Sequence, residues 1–316
     1  MEAGQRAGIL LSYTGIEIGG TKLQLVLGDE SGVIQQRRRF AVERARGAAG
    51  IRRQIQEALP ELLAGTRPEA IGVGFGGPVD WRTGRICRSH HIEGWSDFDL
   101  WSWLNKLTGA AVRADNDANV AALGEARHGA GRGFNPVFYV TLGSGVGGGL
   151  VADGRIYHGA TPGEAEIGHV RLDRSGTIVE SRCSGWSVDA RIRELKEKDP
   201  GSLLARMART ANGGEAKFLA EALRQGDAGA ARILHETAGD LAFALSHVVQ
   251  LFHPQIIILG GGLSGLGEPL RAAVEHALRP FIMDAFAPGP GIALAGLAED
   301  AVPVGALALA ALPGPA

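Results

Sequence analysis

The sequence predicts an α/β protein built from two similar halves, which would form two lobes with a cleft between them. Segments typical of strands alternate with segments typical of helices along the 316 residues, which is the pattern of α/β folds. A strand, glycine turn, strand pattern stands near the start of the chain and again in its middle. A chain of this length usually forms about two domains.

The first copy of this pattern covers residues 13–32, "YTGIEIGGTKLQLVLGDESG". It predicts a strand, a tight Gly-Gly-Thr-Lys turn, a second strand and a further turn. The second copy, "FYVTLGSGVGGGLVADGRI", covers residues 138–156. Shifting the first copy by 124 positions places Glu17 on Thr141. We interpret this similarity as an internal duplication.

The segments after the first hairpin follow helical and strand patterns in turn. Ile51, Ile55 and Leu59 recur every fourth residue, which predicts a helix. The apolar run "AIGVGF" at 70–75 predicts a strand that leads into a Gly-Pro turn. The stretch "FDLWSWLNKLTG" at 98–109 has helical spacing and ends in glycine.

The remaining elements continue the alternation to the end of the chain. A short strand comes next, followed by a helix that starts at 115–117 and closes on Gly129. The region 187–252 is mostly helical and is stopped by Pro254. A buried strand in "QIIILGGG" at 255–262, a helix from about Leu266, a strand near 291–295 and a last Ala/Leu-rich helix complete the chain.

Composition and charge place the chain among ordinary globular proteins. It is 45% apolar and 21% charged, with a net charge of -2. Without a basic stripe there is no electrostatic reason to bind nucleic acid or an anionic membrane. Two cysteines cannot form a disulfide framework, and no apolar run approaches the ~18 residues that span a bilayer. We therefore expect a cytoplasmic protein with neither a nucleic acid nor a membrane as partner.

Three glycine-rich turns, at 19–22, 143–149 and 260–262, each follow a predicted strand. Glycine lets a ligand approach the backbone because no Cβ is in the way. Successive N–H groups then form a nest suited to phosphate. The pattern is neither a Walker A loop nor a dinucleotide-binding motif. Three such turns favour a nucleotide site over ordinary hairpin chemistry.

The first turn adds charged and hydroxyl groups to its glycines. Thr21 and Lys22 can donate to phosphate oxygens, and Glu17 can hold a hydrated Mg²⁺ ion. The residues predicted to bind the nucleotide are Glu17, Gly19, Gly20, Thr21, Lys22, Thr141, Gly143, Ser144, Gly145, Gly260, Gly261 and Gly262.

Five motifs together resemble the ROK family of bacterial sugar kinases and sugar-responsive repressors, within the hexokinase/actin/Hsp70 superfamily. They are, in order, "GIEIGGTK", "GVGFGGPVD", "ADNDANVAALGE", "VTLGSGVGGGLVADGRI" and "GEAEIGH". The resemblance runs from about residue 13 to the end. It implies an actin-like ATPase fold of the ribonuclease H type, with a small lobe of residues 1–115 plus a helix at about 300–316, and a large lobe of residues 116–299.

The resemblance also implies the activity, which is transfer of the ATP γ-phosphoryl group to a hexose hydroxyl, and a homodimer. The alternatives are a non-catalytic sugar-sensing protein and a transcriptional regulator. We disfavour the regulator because only about a dozen residues precede the first hairpin. A non-catalytic protein would tolerate loss of the base or of the phosphate turns, and both are present.

A sugar hydroxyl is a poor nucleophile until a carboxylate accepts its proton. Asp115, Asn116 and Asp117 are the candidates. The family pattern falls on residues 116–119, so the resemblance implies Asp117 as the general base and Asn116 as a sugar ligand. Helix N-capping is the alternative for all three residues, and we prefer it for Asp115.

A neutral sugar needs donors and acceptors rather than a charged patch. The resemblance selects Glu166, paired with His169, because the family has a glutamate three residues before its histidine. A helix or a turn would bring the pair together. The full set of implied sugar ligands is Gly76, Gly77, Asn116, Glu166, His169 and Glu180.

The chain departs from the family after this histidine. Most relatives carry three cysteines there that join the histidine around a structural zinc ion, but this chain has no cysteine between His169 and Glu180. The usual four-ligand zinc site therefore cannot form, and we predict a zinc-free protein. A second departure is Glu17, where the family usually has aspartate.

Overall fold

The computed structural model describes residues 12–87, 92–161, 163 and 165–313. The chain divides into two compact units. The first unit comprises residues 1–124, 159–163 and 302–316, and the second comprises residues 125–158 and 164–301. The predicted N-terminal tail lies mostly outside the described residues.

The first unit is built on a five-stranded sheet with the order β3-β2-β1-β4-β8. β1 is antiparallel to β2 and parallel to β4, and β4 is parallel to β8. A small sheet, β5-β6-β7, follows β4 along the chain. The strands are β1 Tyr13–Ile18, β2 Lys22–Gly28, β3 Ile34–Ala41, β4 Ala70–Phe75, β5 Val79–Asp80, β6 Arg85–Ile86, β7 Phe98–Asp99 and β8 Ala111–Asn116.

The second unit repeats this arrangement in a sheet with the order β11-β10-β9-β12-β13. β9 is antiparallel to β10 and parallel to β12, as β1 is to β2 and β4. The strands are β9 Val137–Leu142, β10 Val146–Ala152, β11 Arg155–Ile156, β12 Ile256–Gly260 and β13 Gly291–Leu294. The duplication predicted from the sequence is thus confirmed by the strand order.

The helices cover the sheets through their apolar faces. Ile51, Ile55 and Leu59 of α1 are all buried, which confirms the predicted helix, and α1 packs on β2 and β3. The helices are α1 Gly47–Leu63, α2 Leu100–Thr108, α3 Asp117–His128, α4 Val179–Cys183, α5 Gly185–Lys198, α6 Leu203–Met207, α7 Leu219–Arg224, α8 Ala228–Phe252, α9 Glu268–Leu278 and α10 Ala301–Ala310. Within the described residues, no helix is long and apolar enough to cross a membrane.

Two helix boundaries show how local chemistry sets the elements of the second unit. α8 ends at Phe252, because His253 takes a left-handed conformation and Pro254 follows. The stretch after β12 is a 3₁₀ helix, Gly262–Leu266, and α9 starts at Glu268 rather than at Leu266. Gly267 intervenes with φ 71°, a conformation that cannot continue a helix.

Helix α10 lies directly on the backbone of the first sheet. A Cβ on Gly72 would lie 1.9 Å from the carbonyl oxygen of Ala306, and one on Gly15 would lie 2.8 Å from that of Pro303. On another side of the helix, a Cβ on Gly305 would lie 1.8 Å from the carbonyl oxygen of Val120 in α3. Glycine is therefore required at these positions by close approach.

We expect Gly72→Ala to lower the free energy of unfolding by about 1–3 kcal/mol or more, because overpacking forces the backbone of α10 away from β4. Chemical denaturation measures this change. The control is Gly239→Ala in α8, where a Cβ would meet no atom within 4 Å. There alanine should be neutral or stabilise the helix by up to about 1 kcal/mol. Equal stabilities of the two variants would contradict the packing of α10.

Candidate active site

The predicted base and several predicted ligands of the first unit lie at the carboxyl ends of three neighbouring parallel strands. Ile18 of β1 is in register with Phe75 of β4, and Phe75 is in register with Asn116 of β8. The residues that follow each strand therefore share one edge of the sheet. The Gly76 N–H donates to the Ile18 carbonyl over 2.8 Å. A Cβ on Gly76 would lie 3.4 Å from Oδ2 of Asp117, so the carboxylate stands beside this glycine.

Asp117 is the first residue of α3 and is half-buried. The Asn116 side chain accepts from the Ala118 N–H at 2.9 Å and donates to the Gly77 carbonyl at 3.2 Å. It therefore caps the helix and joins it to the turn after β4. Asp117 is the acidic residue in the first turn of this helix.

Asp115 does not cap the helix as the sequence suggested. Its carboxylate is buried in β8, with 1% of the residue exposed. Oδ1 accepts from the Asn116 N–H at 2.8 Å and from the Asn119 amide at 3.0 Å. The capping contact belongs to Asn116, since that residue is the one that directly precedes the helix.

At the first glycine turn, the Glu17 carboxylate contacts one side chain through each of its two oxygens. The Gly19 N–H closes the turn on the Lys22 carbonyl at 2.9 Å. Glu17 is 9% exposed. Its Oε1 lies 3.0 Å from the Lys22 Nζ, and its Oε2 accepts from the Gln24 amide at 2.6 Å. Gln24 was missed from the sequence, although the hairpin register places it directly across from Glu17.

The second glycine turn is held by a residue predicted to bind sugar. The Gly143 N–H donates to the Gly145 carbonyl at 2.9 Å. Oε2 of Glu180 accepts from the Val146 N–H at 2.9 Å, and a Cβ on Gly145 would lie 2.5 Å from that oxygen. Glu180, near the start of α4, therefore lies against the turn, and the two predicted sets of ligands meet there.

Glu166 and His169 lie on one short turn, as predicted. Glu166 precedes a 3₁₀ helix, Ile167–His169, and its carbonyl accepts from the His169 N–H at 3.0 Å. Both side chains are exposed. The turn rests on β10, because a Cβ on Gly148 would lie 2.7 Å from the Ala165 carbonyl oxygen. A Cβ on Gly168 would lie 2.1 Å from the Val146 carbonyl oxygen.

A cavity of about 540 Å³ opens beside the second and third glycine turns. Gly143, Ser144 and Gly262 line it. A Cβ on Gly262 would meet no atom within 4 Å, and one on Gly143 would have a nearest neighbour at 3.9 Å. Neither glycine is required by packing or has a positive φ. Gly261, by contrast, is required by the backbone, since it has φ 76° and an added Cβ would lie 2.5 Å from the Leu142 backbone nitrogen.

A hydrogen-bonded hairpin occupies the stretch after His169, where the family resemblance implied zinc ligands that this sequence lacks. Arg171 and Ile178 form an isolated antiparallel bridge. In the turn, Asp173 accepts from the Ser175 hydroxyl at 2.6 Å and from the Gly176 N–H at 3.0 Å. Hydrogen bonds from the Ser175 and Thr177 side chains hold the Asp173 pKa well below its usual range.

Cys183 is not placed to act as a metal ligand. It is fully buried in α4, and its thiol lies 3.7 Å from the Thr237 carbonyl oxygen. Burial raises its pKa to about 12, which keeps the thiol protonated. Among the residues that the structure describes, there is no group of three or more His, Cys, Asp or Glu side chains that could hold a metal ion.

We expect Gln24→Leu to lower the free energy of unfolding by about 1–3 kcal/mol, because it leaves a buried Glu17 oxygen without its donor. Chemical denaturation at neutral pH measures the change. Gln36→Leu on β3 is the matched control, since Gln36 is exposed and its loss should have little effect. If both variants were as stable as the parent, Gln24 would not support Glu17.

Chelation should not affect the fold. A structural zinc ion contributes folding free energy outright, so we expect EDTA to leave the unfolding temperature unchanged and metal analysis to find no stoichiometric zinc. Asp173→Ala should lower the unfolding temperature, since the hairpin turn loses its acceptor. A zinc ion held tightly by each chain, or unfolding promoted by EDTA, would contradict this prediction.

Comparison with known proteins places these features in a family. The model of the ROK family matches residues 13–312. The chain is 32% identical over 309 residues to a glucokinase of Thermotoga maritima, covering 95% of this chain and 97% of that protein. It is 31% identical over 307 residues to a glucokinase of Halalkalibacterium halodurans, covering 93% of each.

A solved structure agrees with the sequence comparisons. The ROK family glucokinase of Streptomyces griseus, in complex with glucose and AMPPNP, superimposes with a TM-score of 0.83 and 31% identity, covering 95% of this chain and 99% of that one. The α/β architecture is thus that of the actin-like ATPases, to which the ROK sugar kinases belong. On the family model and this likeness together, the chain belongs to the ROK family.

Proposed function

We propose that this chain is an ATP-dependent sugar kinase that transfers the γ-phosphoryl group of ATP to the 6-hydroxyl of glucose or of a related hexose or N-acetylhexosamine. The observation that carries the proposal is the position of Asp117, beside Gly76 at the sheet edge where the first glycine turn also lies. The bound glucose and AMPPNP in the Streptomyces griseus structure support both substrates.

Asp117 acts as the general base in this reaction. The hydroxyl oxygen attacks the γ-phosphorus and its proton passes to the Asp117 carboxylate. The bond from phosphorus to the β,γ-bridging oxygen breaks, and ADP leaves. Backbone N–H groups of the glycine turns at 19–22 and 143–145 donate to the phosphate oxygens. Thr21 and Lys22 add a hydroxyl and a cation to the first turn.

The sugar is held by hydrogen bonds rather than by charge. In the first unit, Gly76, Gly77 and Asn116 lie next to Asp117. In the second unit the exposed Glu166 and His169 side chains offer an acceptor and a donor. Glu180 adds a carboxylate at the second glycine turn. Acceptors and donors of this kind suit the hydroxyls of a neutral hexose.

Magnesium is the expected counterion of the nucleotide, where it neutralises charge that develops on the phosphates. Glu17 is the residue that fits it, because the carboxylate is nearly buried at the base of the first turn and each oxygen accepts one contact from the protein. A carboxylate oxygen can accept more than one bond, and Mg²⁺ usually keeps several waters. Glu17 would therefore hold the ion through water.

The family resemblance also supports a homodimer, and the absence of a disulfide framework supports a reducing compartment such as the cytoplasm. Light scattering with size-exclusion chromatography measures the first property directly. A mass of about 33.0 kDa in solution would correspond to a monomer and would rule out the dimer.

We expect Asp117→Asn to lower kcat by about 10²- to 10⁴-fold, because the amide cannot accept the proton of the sugar hydroxyl. ADP release from Mg-ATP is measured across glucose, mannose, fructose, N-acetylmannosamine, N-acetylglucosamine and allose. The sugar should still bind to the variant, as shown by calorimetry. If Asp117→Asn left turnover unaffected, the assignment of Asp117 as the general base would be wrong. If the parent protein phosphorylated none of these sugars, the proposed kinase activity would be contradicted.

Asp97→Asn is the matched control. Asp97 is a carboxylate of the same unit whose side chain is 87% exposed, and its neutralisation should leave kcat unchanged. A similar loss of activity in both variants would show that the effect of Asp117→Asn is not specific to the base.

A further inference from the structure

Trp186 stands at the cavity beside the second and third glycine turns, although no motif points to it. It is the second residue of α5 and is 57% exposed, which is unusual for a large aromatic side chain. It lines the same cavity as Gly143 and Ser144. The other four tryptophans of the chain all precede residue 104, so Trp186 is the only one in the second unit.

The lining of this cavity includes apolar side chains on which a flat ring can pack. Leu142, Leu263 and Leu266 are among the lining residues, and Lys217 adds a cation. Asp189 also lines it, but the carboxylate oxygens accept from the Gly214 N–H at 3.0 Å and the Ala216 N–H at 2.7 Å. With 6% of the residue exposed, Asp189 shapes the wall rather than offering a charge to a ligand.

The start of α5, which carries Trp186, is fixed relative to the second glycine turn. The Gly185 N–H donates to the Gly143 carbonyl at 2.7 Å, and Ser184 caps α5 by accepting from the Ser187 N–H. A Cβ on Gly185 would lie 2.9 Å from the Gly143 carbonyl oxygen, so the helix start and the turn are in direct contact. The backbone at Trp186 is therefore held next to the second glycine turn.

We propose that Trp186 stacks on the base of the nucleotide whose phosphates lie at the turn 143–145. The inference rests on the proposed function and deepens it, because it assigns the donor as a nucleoside triphosphate that is recognised by its ring. Stacking on an aromatic side chain is sequence-tolerant, since every base has a π face. A donor without a base, such as inorganic polyphosphate, gains nothing from Trp186.

Kinetics with two substitutions test the stacking. Trp186→Ala should raise the KM for ATP by about 5- to 150-fold, with kcat and the KM for the sugar nearly unchanged. Trp186→Phe should restore most of the ATP affinity, because the ring is kept. The inhibition constant of tripolyphosphate against ATP should be the same in the parent and in Trp186→Ala. Equal KM values for ATP in the parent and in Trp186→Ala would overturn the inference.

Phe134→Ala is the matched control. Phe134 is an aromatic residue of the same unit that is 45% exposed and is not among the residues lining the cavity. Its removal should leave the KM for ATP unchanged. A comparable rise in that KM would show that removing any exposed aromatic side chain of this unit weakens ATP binding. It would overturn the specific role of Trp186.

Fluorescence separates this inference from the proposed function. Titration with ADP in the absence of sugar should quench part of the tryptophan emission of the parent, and Trp186→Phe should abolish that change. Loss of quenching in Trp186→Phe supports the stacking even if no sugar is phosphorylated. Unaltered quenching in Trp186→Phe together with normal kinase activity overturns the stacking and leaves the kinase intact.

Discussion

The candidate site depends on the parallel pairing of strands at the centre of each sheet. Parallel neighbours end at the same edge, so the turns after them meet although they are far apart in sequence. In the first unit the registers of Ile18, Phe75 and Asn116 bring the residues after β1, β4 and β8 together. The second unit repeats this with Thr141 and Gly260 on β9 and β12. The backbone hydrogen bonds between parallel strands therefore set the positions of the turns that carry the candidate site residues.

Carboxylates then hold the turns in place. Glu17 is fixed by Gln24 and Lys22, Glu180 accepts the Val146 N–H, and Asp189 accepts two N–H groups of the cavity wall. Each satisfies polar groups that would otherwise be costly to bury. Turns held in this way can present their remaining N–H groups to a ligand without rearrangement, which is the condition for strong electrostatic stabilisation of a reaction.

The sequence predicts the elements of this fold well, because helical spacing in α1 and glycine turns after apolar strands are local signals. The kinase family was also predicted, since its five motifs are local. The capping role of Asp115 was wrong, because the choice between Asp115 and Asn116 depends on where β8 ends. Gln24 was missed because only the cross-strand register places it opposite Glu17. No sequence motif marks Trp186, and the role proposed for it depends on its exposure at a cavity.

The contact between β10 and the turn that carries Glu166 and His169 has a consequence for how this scaffold can diversify. Gly148 and Gly168 let two stretches of main chain touch, so the position of the turn does not depend on the two side chains that it displays. The residues at positions 166 and 169 can therefore be replaced while the backbone of the turn stays in place. A larger residue at Gly148 or Gly168 would instead displace the turn and move both of these side chains at once.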